Sequence, residues 1–258
     1  MGALSGRTVP HCLTATATPG AWPVERFTGS AAELLGPWPP AASQGSPVVR
    51  TGRVTGVTTL VLGSTQDRAV VDDDAVGGAG IEVVRRSTGG GAVLVAPGAQ
   101  VWIDLWLPRG QPLWDDDVVR AAGWVGDAWA QALGRLGATA LEVHRGPATG
   151  GGWSRRVCFA GLGPGELHIG GRKVMGLAQR RTRAGARFHT TAPLVWRPAL
   201  LSDLLAVDPA VDGGDDSALD HAALGLRQLI PAWSAAVADV DVVAAAEDAV
   251  LAALPATA

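Results

Sequence analysis

Lys173 is the only lysine among 21 basic residues; all the others are arginine. The chain also has no Asn and no Tyr, while Gly reaches 35. The missing types share A/T-rich codons, so arginine abundance reflects a high-GC genome and carries little meaning by itself. The surviving lysine carries more. Arginine can replace lysine on a solvated surface, but not where a compact ammonium on a flexible stem is needed. In Glu166-Leu-His-Ile-Gly-Gly-Arg-Lys173-Val-Met-Gly176 this ammonium lies just past a Gly-Gly turn, where it could hold a carboxylate, a phosphate or a developing oxyanion.

A second constellation is Arg85-Arg86-Ser87-Thr88-Gly89-Gly90-Gly91-Ala92-Val93. Three glycines let the backbone approach a ligand, and consecutive N–H groups can form an anion-binding nest. No Gly-Lys-Ser/Thr follows, as a Walker loop requires, and the next element reads as a strand, unlike a dinucleotide fingerprint. Cys158 reads either as a packed core cysteine or as a thiol activated by Arg155, Arg156 and Lys173, should these come near it. Cys12 lies in a weakly patterned stretch and reads as incidental.

The elements that must position these groups are short strands and a few helices. Apolar runs predict strands at Val57–Leu62, Ile81–Arg86 and Ala92–Val95. In Val101–Leu107 the odd positions face one side, while Trp102, Asp104 and Trp106 face the other, as in a half-buried strand. Val118, Ala122, Val125, Trp129, Leu133 and Leu136 recur at helical spacing, with Asp115-Asp116 as the cap and Gly137 as the stop. Glu166–Ile169 and Arg172–Gln179 read as a hairpin turning at Gly170-Gly171, and Ala186–Ala192 as a further strand. Helical patterns follow at Ala199–Ala206, Ser217–Ile230 and Val242–Leu254. The order predicts an α+β fold with a mixed, largely antiparallel sheet flanked by helices. Residues 1–50 are expected to be loosely structured, 51–197 to form the core of the fold, and 198–258 to form a helical segment packed on it.

With 258 residues, 47% of them hydrophobic, the chain can bury a substantial core. No apolar stretch approaches the ~18 residues of a membrane span, and the amino-terminal stretch lacks the pattern of a signal peptide. A cytoplasmic, soluble, globular protein with no membrane partner is expected. A net charge of -3 supplies no general attraction to nucleic acid. Two cysteines cannot form a four-thiolate metal site, and the acidic runs Asp72–Asp74 and Asp115–Asp117 read as caps, so no metal centre is expected in the chain itself.

Together the two motifs resemble the lipoate–protein ligase and octanoyltransferase group, which shares a catalytic-domain superfamily with biotin–protein ligases. Arg85 to Val93 is similar to the group's arginine-arginine-x-serine/threonine-triple-glycine-alanine-valine signature. Gly171-Arg172-Lys173-Val174-x-Gly176-x-Ala178-Gln179 is similar to its lysine motif, and Val61 to Gln66 to a third motif ending in glutamine. The resemblance spans Val57 to Leu194. It implies the ligase superfamily's mixed sheet and attachment of a lipoyl or octanoyl group to a lysine of an acyl-carrier domain. It implies an acyl and adenylate site at Arg85, Arg86, Thr88, Gly89, Gly90, Gly91 and Ala92, with Gln66, Gly176, Ala178 and His189 also at the substrate. Lys173 would contact the acyl carbonyl or phosphate.

The chain departs from the ligase pattern in two places. The Asn-Asp pair linked there to magnesium and ATP is replaced by Gly163-Pro164-Gly165-Glu166, and a His-Asp pair by Val95-Ala96. Cys158-Phe159, eight residues before Glu166-Leu167, resembles the nucleophilic cysteine of one octanoyltransferase type. The first expectation is a ligase using ATP and magnesium through an acyl-adenylate. The second is a transferase that needs no cofactor and carries the octanoyl group on Cys158. A non-catalytic binder of lipoate or acyl-adenylate is the third. Lipoate or octanoate, free or carrier-bound, would be the donor. Arg180, Arg181, Arg183 and Arg187 would attract an acidic lipoyl-domain or glycine-cleavage H-type acceptor protein.

Overall fold

A computed structural model describes residues 21–40, 44–206, 217–233 and 236–257. Its strands are β1 (Val24–Gly29), β2 (Val48–Val54), β3 (Thr59–Leu62), β4 (Glu82–Arg85), β5 (Val93–Val95), β6 (Gln100–Pro108), β7 (Glu142–Val143), β8 (Leu167–Ile169), β9 (Arg172–Arg181) and β10 (Gly185–Pro193). Seven form one sheet in the order β1-β2-β6-β10-β9-β8-β7, parallel only between β1 and β2. A smaller sheet has the order β4-β3-β5. The helices are α1 (Ala31–Leu35), α2 (Asp73–Gly78), α3 (Val118–Ala121), α4 (Gly123–Arg135), α5 (Pro198–Ser202), α6 (Ser217–Asp220), α7 (Leu226–Leu229) and α8 (Asp239–Ala253). The α+β class with a mixed, mainly antiparallel sheet is as the sequence predicts.

All nine residues of β6 are buried, which corrects the expected half-exposed strand. Val101, Ile103, Leu105 and Leu107 pack with Val125, Trp129 and Leu133 of α4 and with Ala246 and Val250 of α8. On the opposite face, Trp102 packs with Ala31 and Leu34 of α1 and with Val54, Val61 and Val95. The small sheet and α1 therefore replace solvent there. The long helix expected after Asp115-Asp116 is in fact two, α3 and α4, separated at Ala122, and Asp117 is its cap through Val119 N and Arg120 N.

The segment expected to be loose holds β1 and α1 in its described part. A capping box starts α1: Ser30 Oγ accepts from Glu33 N while the Glu33 carboxylate accepts from Ser30 N. The strand β2 also escapes the apolar pattern, because Arg50 and Arg53 interrupt it. The helical run expected at Ser217–Ile230 divides into α6 and α7.

Candidate active site

The triple-glycine loop bends back between β4 and β5. Arg86, only 6% exposed, ties it from inside: Nη2 donates to the carbonyls of Gly89 and Gly91, both at 2.8 Å. Its Nη1 is buried without a partner. At Gly91 a Cβ would lie 2.6 Å from the Val157 backbone, so only glycine lets the second chain come this close. That contact is completed by Ala92 N donating to Arg156 O at 2.6 Å and Cys158 N to Ala92 O at 2.9 Å. The loop thereby seats Cys158 beside itself, at the start of a short 3-10 turn, Cys158–Ala160.

The lysine hairpin turns at Gly170 (φ +55°) and Gly171 (φ +82°), as a tight two-residue turn requires. Across β8 and β9, Leu167 faces Met175 but His168 faces Lys173. Val174 is thus an extra residue, a β-bulge, and both Val174 and Met175 point into the core. The bulge changes the phase of the strand. Lys173 comes to share a face with Gly176 and Ala178, and all three line one cavity.

That cavity, about 390 Å³, lies between the small sheet and the large one. Cys158, Glu166 and Lys173 line one end; Leu35, Val95, Trp102 and His189 line the other. His189 faces Ala178 across β9 and β10. Ala178 lies five positions after Lys173 along β9, roughly 15 Å at strand rise. Between them Val61, Val93, Gly176, Leu177 and Thr191 make a mostly apolar wall.

At the first end, Lys173 is 2% exposed. Its Nζ lies 2.6 Å from Oε2 of Glu166, donates to the carbonyl of Cys158 at 2.7 Å, and sits 5.4 Å from the centre of the Phe159 ring. Glu166 Oε2 also accepts from Gly163 N at 2.5 Å and Oε1 from Leu177 N at 3.0 Å. The lysine therefore reaches the peptide of Cys158, and Cys158 itself, partly buried, lines the cavity.

At the far end, Asp104 is fully buried. It meets Arg50 at 2.5 Å, Arg187 at 2.9 Å and Nδ1 of His189 at 2.5 Å. Burial alone would raise the Asp104 carboxyl; His189, Arg187 and Arg50 together hold it well below the usual carboxylate range. Burial pushes His189 below its ordinary value against the pull of Asp104.

Of the residues singled out in the sequence, Lys173, Cys158, Arg86, Thr88, Gly89, Gly90, Gly91, Gly176, Ala178 and His189 all line this cavity. Three do not. Arg85 is exposed and donates from Nη1 to the carbonyls of Gly63 and Gln66. Gln66 accepts from Gly63 N and donates to Arg156 O, stapling two loops together. Ala92 is fully buried behind the glycines. These three shape the loop from behind. Glu166 and Asp104 were not singled out, because their partners come near only in the folded hairpin and sheet. The arginine run also divides. Arg187 is bound to Asp104, and Arg181 donates to the carbonyls of Asp115 and Asp116, leaving Arg180 and Arg183 exposed.

Residues 45–241 match the family described as the lipoyl protein ligase A/B catalytic domain. The chain belongs to that family. The octanoyltransferase LipM of Exiguobacterium sp. is 28% identical over 148 residues, covering 54% of this chain and 51% of the relative. The aligned part is thus about half the length of that relative. Among solved structures, a bipartite lipoate protein ligase from Thermoplasma acidophilum aligns over 92% of this chain and 82% of its own, with 17% identity and a TM-score of 0.65. A lipoate-protein ligase A bound with ATP aligns over 92% and 84%, with 16% identity and a TM-score of 0.60. At these identities the structural matches bear on the fold alone.

Proposed function

We propose that this chain transfers a medium-length acyl group, octanoyl in the first instance, from a carrier-bound thioester to a lysine of an acyl-carrier domain, by way of Cys158. The observation that carries this reading is that Cys158 lines a mostly apolar cavity beside the only lysine of the chain, whose Nζ donates to its carbonyl. An acyl chain would lie along Val61, Val93 and Gly176 toward Trp102 and His189, excluding water from the thioester. The Cys158 thiolate attacks the donor's carbonyl carbon, forming a new thioester and releasing the donor's thiol. The acceptor lysine's amine then attacks the acyl-cysteine, an amide forms, and the Cys158 sulfur leaves and recovers its proton. In both steps the Lys173 ammonium stabilises charge on the acyl oxygen.

The ATP and magnesium of the ligase branch fit these residues poorly. Magnesium is held by one or two carboxylates together with substrate phosphates. Glu166 is the one carboxylate lining the cavity, and Lys173, Gly163 N and Leu177 N engage both its oxygens. Among the described residues no three His, Cys, Asp or Glu side chains gather as a cation site. No step is therefore routed through a nucleotide. The acceptor is an acidic lipoyl-domain or H-type protein, approached through the exposed Arg180 and Arg183. No helix among the described residues is long and apolar enough to cross a membrane.

Intact mass of an apo lipoyl domain tests this reading under two conditions. Octanoyl-carrier protein without ATP should give an octanoyl adduct, absent with Cys158→Ala. An adduct formed only from free lipoate with ATP and magnesium would instead establish the adenylate-forming ligase. No adduct with either donor, beside active controls, would leave a binder of lipoate or acyl-adenylate.

A further inference from the structure

We infer that Glu166 is a positioning residue for the transfer step: it fixes the Lys173 ammonium so that its remaining N–H points at the acyl oxygen. This rests on the reading of the cavity as an acyl-transfer site. An ammonium has three donors. Two are committed, to Glu166 Oε2 at 2.6 Å and to the Cys158 carbonyl at 2.7 Å, and the lysine lines the cavity beside the thiol. Both partners are themselves held. Glu166 accepts from Gly163 N and Leu177 N, one on each side of the hairpin's β8 strand in sequence, while Cys158 N is bound to Ala92 O.

The carboxylate is therefore anchored independently of the lysine. Its side chain is 4% exposed and that of Lys173 3%, so neither charge is screened by solvent and each sets the other's place. Because both Glu166 oxygens are engaged by the protein, it acts through Lys173. A flexible lysine stem that must find its geometry anew in every turnover would lose much of the benefit of a preorganised donor. Glu166 supplies that preorganisation.

Glu166→Gln keeps the size of the side chain and removes its charge; Glu166→Asp keeps the charge and draws it back by one methylene. Steady-state kinetics are read per folded molecule, counted by circular dichroism, with the donor that the wild-type protein uses. The expected result for Glu166→Gln is a fall in kcat of about 10²-fold, the scale of losing one oxyanion donor, with KM for the acyl donor little changed. Glu166→Asp should fall between that variant and the wild type. An unchanged kcat in Glu166→Gln, a raised KM at unchanged kcat, or an Asp variant as slow as the Gln variant would overturn the inference. If Glu166→Gln does not fold, Glu166→Asp decides alone: a lower kcat at unchanged KM supports it and wild-type kcat overturns it. Should the wild type act only with free lipoate and ATP, transfer through Cys158 fails, while the same kcat and KM comparison still decides the role of Glu166.

Discussion

Nζ of Lys173 donates to the carbonyl oxygen of Cys158 at 2.7 Å, so the one lysine of the chain and its cavity-lining cysteine are joined through a main-chain atom. The bond holds the turn that carries the thiol and leaves the sulfur free for substrate. Substitution at Cys158 should therefore separate chemistry from folding. Cys158→Ala should abolish the octanoyl-enzyme adduct and lower transfer at least 10³-fold, on the scale of losing a nucleophile. Its melting temperature should stay within a few degrees of wild type, because no hydrogen bond of the sulfur is lost. Intact mass after donor incubation and a thermal melt read the two effects.

Gly91→Ala should act on the same thiol from the other side. The added Cβ would sit 2.6 Å from the Val157 backbone, and backbone cannot give way as a flexible side chain can. The loop and the Val157–Cys158 segment must part, displacing the sulfur. Misplacement of about 1 Å can cost 10²-fold in rate, and that is the expected loss. Gly89→Ala, where a Cβ meets nothing within 4 Å, should retain most activity in the same assay.

Asp104→Asn should destabilise the fold by about 3–5 kcal/mol at pH 7, the cost of leaving buried charges without their partner. Arg50 and Arg187 are the charges concerned. Because the folded carboxyl lies below its unfolded value of 3.8, its stabilisation is fully present above about pH 4 and is lost as pH falls further. Urea melts of the two proteins should therefore differ most at neutral pH, with the difference narrowing steadily as pH falls below about 4. A difference independent of pH would contradict the ionised cluster.

His189→Ala should lengthen the acyl site. The imidazole stands edge-on to Trp102, with ring centres 4.5 Å apart, at the end opposite Lys173. Removing it opens that end, so transfer rates across a series of carrier-bound acyl chains should shift toward chains longer than octanoyl. A proportional loss at every chain length would place His189 elsewhere in the reaction.

The glycine loop and the Gly170-Gly171 hairpin were legible because local chemistry dictates them: a turn needs positive φ, and a close approach needs a missing Cβ. The face on which Lys173 lies was not. Strict alternation pairs Lys173 with Met175, and only the bulge at Val174 sets it with Gly176 instead. Strand β2 was hidden for a related reason. Arg50 and Arg53 read as solvated, yet their partners Asp104 and Glu247 lie 54 and 194 residues away. Glu166 likewise showed no sign of its contact with Lys173, since a carboxylate seven positions before a lysine has no fixed relation to it until the hairpin folds. Gln66 and Arg85 belong to recognisable motifs, but their hydrogen bonds are spent on the loops and not at the cavity.

The guanidinium groups of Arg50 and Arg187 both donate to the carbonyl of Leu34, and Arg187 also to that of Gly36, at the end of α1. Peeling α1 from the sheet would strip acceptors from two cations already committed to Asp104. Local fraying of this short helix is therefore linked to global unfolding. In native-state hydrogen exchange, the amides of Leu34 and Leu35 should exchange with the same free energy and denaturant dependence as those of β6, as one cooperative unit. The amino-terminal helix then sets how long the far wall of the cavity survives during each excursion from the native state.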